Sequence, residues 1–276
     1  MTTLRDLTIG FVGAGNMGQA LLAGLRRQGM PAARLLVTES NPKAAQTVRR
    51  RFGVAAVSLV QLARRCDVVI VAVKPQDLSP VLAALRRALG PRPRRVLVIS
   101  IAAGVTLRAL ERQVGRVAVV RVMPNLPANV GAGIAAVAAG RWASVRHRRI
   151  AAAIFQSVGD ALELPERCFD AVTAVSGSGP AYFFLIFKAL RDAGIAHGLP
   201  ADVAQRLAVQ TALGSARLAQ QSSDGLERLI ARVASKHGTT EAALKVFARR
   251  RLEHTLNAGV AAAAKRSQEL SRVYSA

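Results

Sequence analysis

The chain has 276 residues, and its hydrophobic content of 51% excludes a disordered protein and predicts a sizeable core. Aromatic residues make up only 4%, so this core is expected to consist mainly of Ala, Val, Leu and Ile. The formal net charge is +23, with arginines in scattered pairs and triplets and no interleaved aromatics. We interpret them as a solvated surface that attracts anions nonspecifically, and we expect no specific nucleic-acid partner.

Apolar strands and helices alternate through the first 165 residues. The predicted strands cover residues 7–13, 34–38, 53–57, 67–75, 94–104, 116–125, 131–140 and 160–165, and the predicted helices cover residues 16–29, 41–53, 58–66, 77–90, 106–115 and 141–159. Asn41 as N-cap, Pro42 in the first turn and Gly53 after the last turn mark the limits of the second helix. Such alternation indicates a mostly parallel sheet that is covered on both faces.

The pattern changes at Pro165. No clear strand follows it, and helical stretches are predicted at residues 179–198, 201–221, 226–234 and from 241 onward. The predicted fold class is therefore α/β, with an N-terminal Rossmann-type doubly wound parallel sheet followed by an all-helical domain. We expect the first domain to cover residues 1–165 and the second to cover residues 166–276.

A glycine motif directly follows the first predicted strand. Gly13, Gly15 and Gly18 have the spacing G-x-G-x-x-G and open the first helix. The first glycine permits a tight turn, the second lets the backbone approach a pyrophosphate, and the third lets helix and strand pack closely. The residues therefore predict a dinucleotide site in which the pyrophosphate lies on a helix N-terminus.

The end of the second strand gives a split signal on the choice of cofactor. Glu39 favours NAD, because an acidic residue there binds the ribose hydroxyls. Ser40, Asn41 and Lys43 favour NADP, because hydroxyl, amide and basic groups accept a 2′-phosphate.

The cysteines, the first residues and one uncharged run indicate the cellular compartment. Cys66 and Cys168 have no metal-like spacing and no close pairing, which favours a reducing, cytoplasmic environment, and no metal is expected. Asp6 lies in a start that runs directly into the glycine loop, so we expect no signal peptide. The uncharged run at residues 171–187 is slightly short for a membrane span, and its central Ser, Gly and Pro are typical of a junction between a loop and a helix.

The stretch SKHGTT at residues 235–240 interrupts two alanine-rich helical segments with small and polar residues. A glycine-containing turn that leads into a helix offers unsatisfied backbone N–H groups, and the Ser and Thr hydroxyls add further donors. These groups suit a small carboxylate. The alternative is that Thr239 or Thr240 acts as an N-cap, and both roles can coexist.

With AVKPQ, ISIAAG, RVMPNLPANVGAG, DAVTAVSGSGPAYFF, GSA and SKHGTTEAAL in this order, the chain resembles pyrroline-5-carboxylate reductase over essentially its whole length. The resemblance implies an N-terminal Rossmann domain and a helical domain that forms a homodimer or a higher homo-oligomer. It also implies that hydride passes from NAD(P)H to the C=N bond of a cyclic imine that carries a carboxylate, which is the last step of proline biosynthesis. We expect NADPH to be preferred over NADH, modestly, with NAD possible.

The resemblance also implies roles for individual residues. The pyrophosphate would be held by Gly13, Ala14, Gly15, Asn16 and Met17, and the adenosine ribose would lie near Ser40 and Asn41. The nicotinamide end would be bordered by Val73, Lys74, Pro75, Ala102 and Ala103, and the reaction face shaped by Met123, Pro124 and Asn125. The substrate would meet Ser176, Ser178, Gly179, Ser235, Gly238, Thr239 and Thr240, with Thr240 reaching the ring nitrogen as the catalytic residue.

Two positions depart from the family pattern. Lys236-His237 stands where family members commonly have Pro-Gly, and Lys188 stands where they commonly have an acidic residue. An alternative is a related imine reductase or a β-hydroxyacid dehydrogenase, although the latter needs a Lys soon after its second-domain glycine motif, and here Lys188 is the first Lys after Gly179. An alternative of a different class is a nucleotide-sensing protein that binds nucleic acid.

Overall fold

The computed structural model of the chain describes residues 4–90 and 96–275. Its strands are β1 (Ile9–Val12), β2 (Leu35–Thr38), β3 (Ala55–Ala56), β4 (Val68–Val71), β5 (Leu97–Ser100), β6 (Ala118–Met123), β7 (Gly133–Ala139) and β8 (Gly159–Glu163). Its helices are α1 (Asn16–Arg27), α2 (Pro42–Phe52), α3 (Leu59–Arg65), α4 (Leu78–Leu89), α5 (Leu107–Val114), α6 (Val145–Gln156), α7 (Phe169–Val172), α8 (Gly179–Ala196), α9 (Ala201–Gln221), α10 (Leu226–Val233), α11 (Thr239–Arg249) and α12 (Leu252–Ser275). Arg94 and Arg95, predicted to begin the fifth strand, lie outside the described residues.

The eight strands form one sheet in the order β3-β2-β1-β4-β5-β6-β7-β8. All neighbouring strands are parallel except β6 and β7, which are antiparallel. The strands β2 and β3 lie on one side of β1, and β4 lies on the other. The loops that follow β1 and β4 therefore diverge at the carboxyl edge of the sheet. This switch point is where open α/β sheets bind their ligands.

The inner strands are buried on both faces because their residues alternate between two cores, whereas the edge strands β3 and β8 are largely exposed. In β4, Val68 and Ile70 belong to one apolar cluster, whereas Val69 and Val71 belong to the other. A parallel sheet covered by helices on both sides requires such continuous apolar strands. The predicted fold class is confirmed, with a Rossmann-type sheet first and helices after it.

The helix limits follow the predicted capping residues. The Asn41 side chain accepts hydrogen bonds from the N–H groups of Lys43 and Ala44, and Gly53 adopts the left-handed conformation after α2. Ser58 begins α3 with a reciprocal capping box to Gln61. These local bonds satisfy donors that a helix start otherwise leaves unpaired.

The chain divides into two compact units. Unit 1 comprises the described residues of 4–178 and 263–275, and unit 2 comprises residues 179–262. The sheet lies in unit 1, together with the last part of α12. The expected domain limit at residues 165 and 166 stays a prediction.

Unit 2 is built from α8 to α11 and the first part of α12. Ala204 and Ala208 of α9 are buried, and Gly194 of α8 lies close to Ala204. Large apolar side chains are nevertheless exposed on α8, including Phe183 at 60% and Leu185 at 67%. Within the described residues, no helix is long and apolar enough to span a membrane.

Two local features differ from what the sequence pattern suggested. Ser176 and Gly177, expected at a junction between a loop and a helix, belong to a π-helical turn over residues 173–177 that continues α7, and the Ser178 N–H donates to the Thr173 carbonyl five residues back. The stretch from residue 241 onward is not one helix, because Arg251 adopts a φ of 53° and separates α11 from α12.

Candidate active site

A cleft of about 590 Å³ opens at the switch point of the sheet in unit 1. The predicted cofactor residues that line it are Gly13, Gly15, Ser40, Val73 and Lys74. They come from the loops after β1, β2 and β4. Their convergence follows from the parallel order of these strands, whose carboxyl ends meet at one edge.

Glycine suits the first two positions of the motif for different reasons. Gly13 adopts a φ of +93°, and a Cβ there would lie 2.9 Å from the Ala72 carbonyl oxygen. Gly15 is the N-cap of α1, makes no side-chain capping bond, and has open space where a Cβ would lie. The start of α1 is thus bare backbone at the cleft, which fits a pyrophosphate on the free N–H groups of the first turn.

Glu39 lies on the glycine loop. One oxygen of its carboxylate accepts the Ala14 N–H at 2.7 Å, and the other accepts the Asn41 N–H at 2.9 Å. The side chain therefore points into the cleft from the end of β2. This is the position from which an acidic residue meets the adenosine ribose of a dinucleotide.

The loops after β5 and β6 carry the other predicted cofactor residues. Ala102 is buried, and its N–H donates to the Ser100 hydroxyl at 3.3 Å. The Asn125 side-chain oxygen accepts the Ile134 N–H at 2.9 Å, which ties the loop after β6 to β7. The amide of Asn125 thus has a structural bond that the sequence motif did not indicate.

The π-helical turn lies against the end of β6. A Cβ at Gly177 would come 2.7 Å from the terminal methyl carbon of Met123, so Gly177 lies directly against this side chain. Ser176 and Ser178 flank Gly177 on the turn, and Gly179 begins α8. Met123 and Ser176 to Ser178 are therefore neighbours within unit 1.

The SKHGTT stretch forms a tight turn into α11 in unit 2. Gly238 is the N-cap and makes no side-chain capping bond, so Thr239 and Thr240 are the first two residues of the helix. The interpretation of either threonine as an N-cap is therefore wrong. A Cβ at Gly238 would clash with the Ser235 hydroxyl, and the Gly238 N–H donates to the Ser235 carbonyl at 3.0 Å.

His237 adopts a φ of 60°, the left-handed conformation that is easiest for glycine. Glu241 stabilises this conformation, because its carboxylate accepts the His237 N–H and forms an ion pair with Lys245 at 2.7 Å. The hydrogen bond from Lys245, and then that from the His237 N–H, lower the pKa of Glu241 below its ordinary value. Sequence reasoning missed Glu241, although an acidic residue three positions after a helix N-cap is a known signal.

Lys188, the second departure from the family pattern, lies on the exposed surface of α8. Its ammonium group pairs with Asp192 one helical turn later at 2.7 Å. The bonds from Lys188 and then Arg191 hold the pKa of Asp192 below its ordinary value. Lys188 thus has a local structural partner within unit 2.

A Rossmann sheet with a bare, glycine-lined cleft at its switch point, followed by an all-helical unit, defines a dinucleotide-dependent oxidoreductase. Residues 8–104 match the family model described as NADP oxidoreductase, coenzyme F420-dependent. Residues 166–270 match the model described as pyrroline-5-carboxylate reductase dimerisation, which indicates a homo-oligomer.

Relatives match along almost the full length. The pyrroline-5-carboxylate reductase of Pseudomonas aeruginosa is 41% identical, with 95% of this chain and 96% of that protein covered. That of Synechocystis is 38% identical, with 97% and 99% covered. The reductase structure from Coxiella burnetii superimposes with a TM-score of 0.91 at 35% identity, covering 96% of this chain and 98% of that one. The Plasmodium falciparum structure, which has NADP bound, gives 0.86 at 29% identity, covering 98% and 100%.

The chain belongs to the pyrroline-5-carboxylate reductase family, and the resemblance predicted from its motifs is confirmed. It is an oxidoreductase of the NAD(P)H-dependent type.

Proposed function

We propose that the protein reduces 1-pyrroline-5-carboxylate to L-proline, the last step of proline biosynthesis, with NADPH as the preferred cofactor. The full-length match to reductases of this name, which extends through both units, carries this proposal. The NADP bound to the Plasmodium falciparum relative supports the choice of cofactor.

On the cofactor side, the bare start of α1 would receive the pyrophosphate, with Gly13, Ala14, Gly15, Asn16 and Met17 around it. Ser40 and Asn41 would lie near the adenosine ribose. The nicotinamide end would be bordered by Val73, Lys74, Pro75, Ala102, Ala103, Met123 and Asn125. The open space beside Gly15 and the absence of a capping side chain in front of α1 support this arrangement.

On the substrate side, the start of α11 offers what a small carboxylate needs. Thr239, Thr240 and Glu241 occupy the first turn, where backbone N–H groups have no helical acceptor, and Gly238 contributes no capping side chain. Ser235 and the two threonines add hydroxyls, and Ser176, Ser178 and Gly179 are proposed to meet the substrate as well. Glu241 is already neutralised by Lys245, so it opposes a bound carboxylate less than a free glutamate would.

The reaction requires little acid–base catalysis by the protein. The cyclic imine binds as an iminium that is already protonated, and bound NADPH supplies the hydride. The protein residues orient the imine carbon, exclude water and hold the ring nitrogen through the Thr240 hydroxyl. Fixing the reacting groups in this way accounts for the rate enhancement, because it removes the entropy cost of bringing them together.

Three further assignments belong to this proposal. The dinucleotide-binding domain covers residues 1–165 and the helical substrate domain covers residues 166–276, an interval that the family model for dimerisation nearly fills. The assembly is a homodimer or a higher homo-oligomer. The compartment is cytoplasmic, in keeping with the two free cysteines, Cys66 and Cys168.

The test follows the cofactor of the purified protein with three substrates: oxidation of NADPH and NADH with 1-pyrroline-5-carboxylate and with a cyclic imine that lacks the carboxylate, and reduction of NADP⁺ and NAD⁺ with an open-chain 3-hydroxy acid. We expect turnover with the first substrate and far lower kcat/KM with the others. Turnover confined to the hydroxy acid would identify a β-hydroxyacid dehydrogenase. Equal turnover of both imines would identify a general imine reductase.

A further inference from the structure

The loop between β5 and α5, residues 101–106, is held in place by residues that are distant from it in the sequence. We call it the β5 loop. Gly104 in its middle is buried and adopts a φ of +75°. Thr106 at its end is the N-cap of α5. The loop contains Ala102 and Ala103, two of the residues proposed to border the nicotinamide.

The last turns of α12 pack against this loop. A Cβ at Gly104 would lie 3.2 Å from the Leu270 Cβ and 3.3 Å from the Tyr274 ring. Tyr274 also packs against the apolar cluster beneath the loop. Residues 267–275, which we call the return segment, therefore cover the β5 loop on the side where Gly104 exposes its backbone.

The return segment also satisfies a backbone donor of the loop. The Thr106 N–H donates to the Ser275 hydroxyl at 3.0 Å, and the Arg112 guanidinium donates to the Ser275 carbonyl at 3.4 Å. Donors at the start of a helix have no partner within that helix, so each needs an acceptor from elsewhere. For Thr106 that acceptor lies 169 residues away in the sequence.

Glu166 supplies the acceptor for the next donor. Its carboxylate accepts the Leu107 N–H at 2.7 Å and pairs with Arg121 at 2.8 Å. The Arg121 side chain is almost fully buried on β6 and stacks on the Phe169 ring at 4.7 Å. Two segments thus fix the end of the β5 loop: the segment after β8, through Glu166, and the return segment, through Ser275.

A buried hydrogen bond connects the segment after β8 to the return segment. The Ser267 hydroxyl donates to the Asp170 carboxylate at 2.7 Å, and Ser267 is one of the few buried polar residues, only 4% exposed. A buried hydroxyl bonded to a carboxylate resists displacement, because separating them leaves both groups without partners. All of these residues belong to unit 1.

We propose that the return segment, through Tyr274 and Ser275, positions the β5 loop for the cofactor. These are positioning residues, because they act through Gly104 and Thr106 and not on the reacting atoms. The inference rests on the proposed function for the location of the nicotinamide at Ala102 and Ala103. It adds that Tyr274 and Ser275 contribute to the affinity for NADPH.

The experiment compares Tyr274→Ala and Ser275→Ala with two controls in the same turns. Tyr274→Phe keeps the ring against Gly104, and Val273→Ala truncates a side chain that is 68% exposed. Each variant is measured for the hydrogen-exchange rate of the Thr106 amide, for the Kd of NADPH by nicotinamide fluorescence, and for kcat and KM. The first two readouts do not depend on turnover.

We expect Tyr274→Ala and Ser275→Ala to accelerate exchange at Thr106 and to raise the Kd of NADPH by about fivefold or more, the effect of losing one hydrogen bond or its packing equivalent. Both controls should remain within twofold of wild type. Faster exchange at Thr106 with an unchanged Kd would reduce the segment to a structural role and overturn the proposal. Unchanged exchange would overturn it as well. Binding of NADPH without reduction of 1-pyrroline-5-carboxylate by the wild type would instead contradict the proposed function alone.

Discussion

Thr240 is the second residue of α11, and the proposed function makes the ring nitrogen of the substrate the partner of its hydroxyl. Thr240→Val keeps the shape of the side chain and removes that hydroxyl. We expect a loss of about 1–3 kcal/mol of transition-state binding, the range for leaving a buried polar partner unmet. Thr240→Ser restores the hydroxyl and should retain most activity. The measurement is kcat/KM, with folding checked by circular dichroism.

His237→Gly is the control from the same turn. His237 contributes its backbone at a φ of 60°, so glycine relieves strain without removing a side-chain contact that the proposal uses. Activity should therefore stay near that of wild type or rise slightly. A Thr240→Val variant as active as wild type, together with a hundredfold loss in His237→Gly, would transfer the substrate contact to the imidazole.

Glu39 bears on the choice between NADPH and NADH. Its carboxylate accepts the Ala14 N–H within the cleft, where, in the proposed binding mode, its charge would oppose the 2′-phosphate of NADPH. Glu39→Gln keeps an oxygen that can accept from Ala14 and removes the charge. The ratio of kcat/KM for NADPH to that for NADH should increase several-fold. An unchanged ratio would show that Glu39 does not face the ribose in the bound state.

Some features of the site were predictable from single residues of the sequence, and others were not. The spacing of Gly13 and Gly15, together with their place between a strand and a helix, predicted the cleft. Gly13 needs glycine for its positive φ, and the open space beside Gly15 fits the close approach of a ligand. The direction of the Glu39 side chain was not predictable, since it depends on which N–H groups the fold brings near it. Glu241 was missed although its spacing is a sequence signal, since it lies three residues after the N-cap Gly238 and four before Lys245.

At the scale of elements, the turn into α11 depends on an ionised Glu241. Hydrogen bonding from Lys245 and from the His237 N–H places the folded-state pKa of Glu241 below its ordinary value of 4.5. Because the folded state favours the ionised form, this contribution to stability is complete above about pH 4.5 and is lost as the pH falls through the lowered pKa.

We expect Glu241→Gln to lower the free energy of unfolding at pH 7 and to leave stability less dependent on pH in this acidic range. Urea unfolding at pH 7 and at a series of values below pH 4.5 measures both effects. Glu253→Gln, in the exposed first turn of α12, is the matched control. An equal pH dependence in wild type and Glu241→Gln would contradict the role assigned to this carboxylate.

Most elements were predictable because their signals are local. Asn41, Pro42 and Gly53 bound α2 as their chemistry requires, and β4 is a β-branched run. The π-helical turn at residues 173–177 was not, because its Ser and Gly are typical of a loop and the bond from the Ser178 N–H to the Thr173 carbonyl has no local sequence signal. The antiparallel direction of β7 also escaped sequence reasoning, since residue pattern does not encode strand direction.

At the scale of the whole molecule, the high positive charge has a partial structural reason. Basic residues occupy the last turns of α1 to α5, where they interact favourably with the helix dipoles and the free carbonyls. The scattered arginine pairs of the sequence are thus distributed over several helix ends, in keeping with their interpretation as a solvated surface.

The exposed apolar side chains of unit 2 predict a stable homo-oligomer. Phe183, Phe184 and Leu185 are each more than half exposed in the single chain, and adjacent exposed side chains of this size are typical of an interface. Sedimentation at micromolar concentrations should show a dimer or a larger assembly and no active monomer. A stable monomer with full activity would contradict this prediction.

In the proposed reaction, hydride passes from NADPH to the C=N bond of 1-pyrroline-5-carboxylate. The most direct measurement supplies NADPH deuterated at C4 on the transferred face and analyses the product by mass spectrometry. We expect L-proline with one deuterium on the former imine carbon, formed in a one-to-one ratio with the NADPH consumed. Consumption of NADPH without labelled proline, or no consumption with either cofactor, would contradict it.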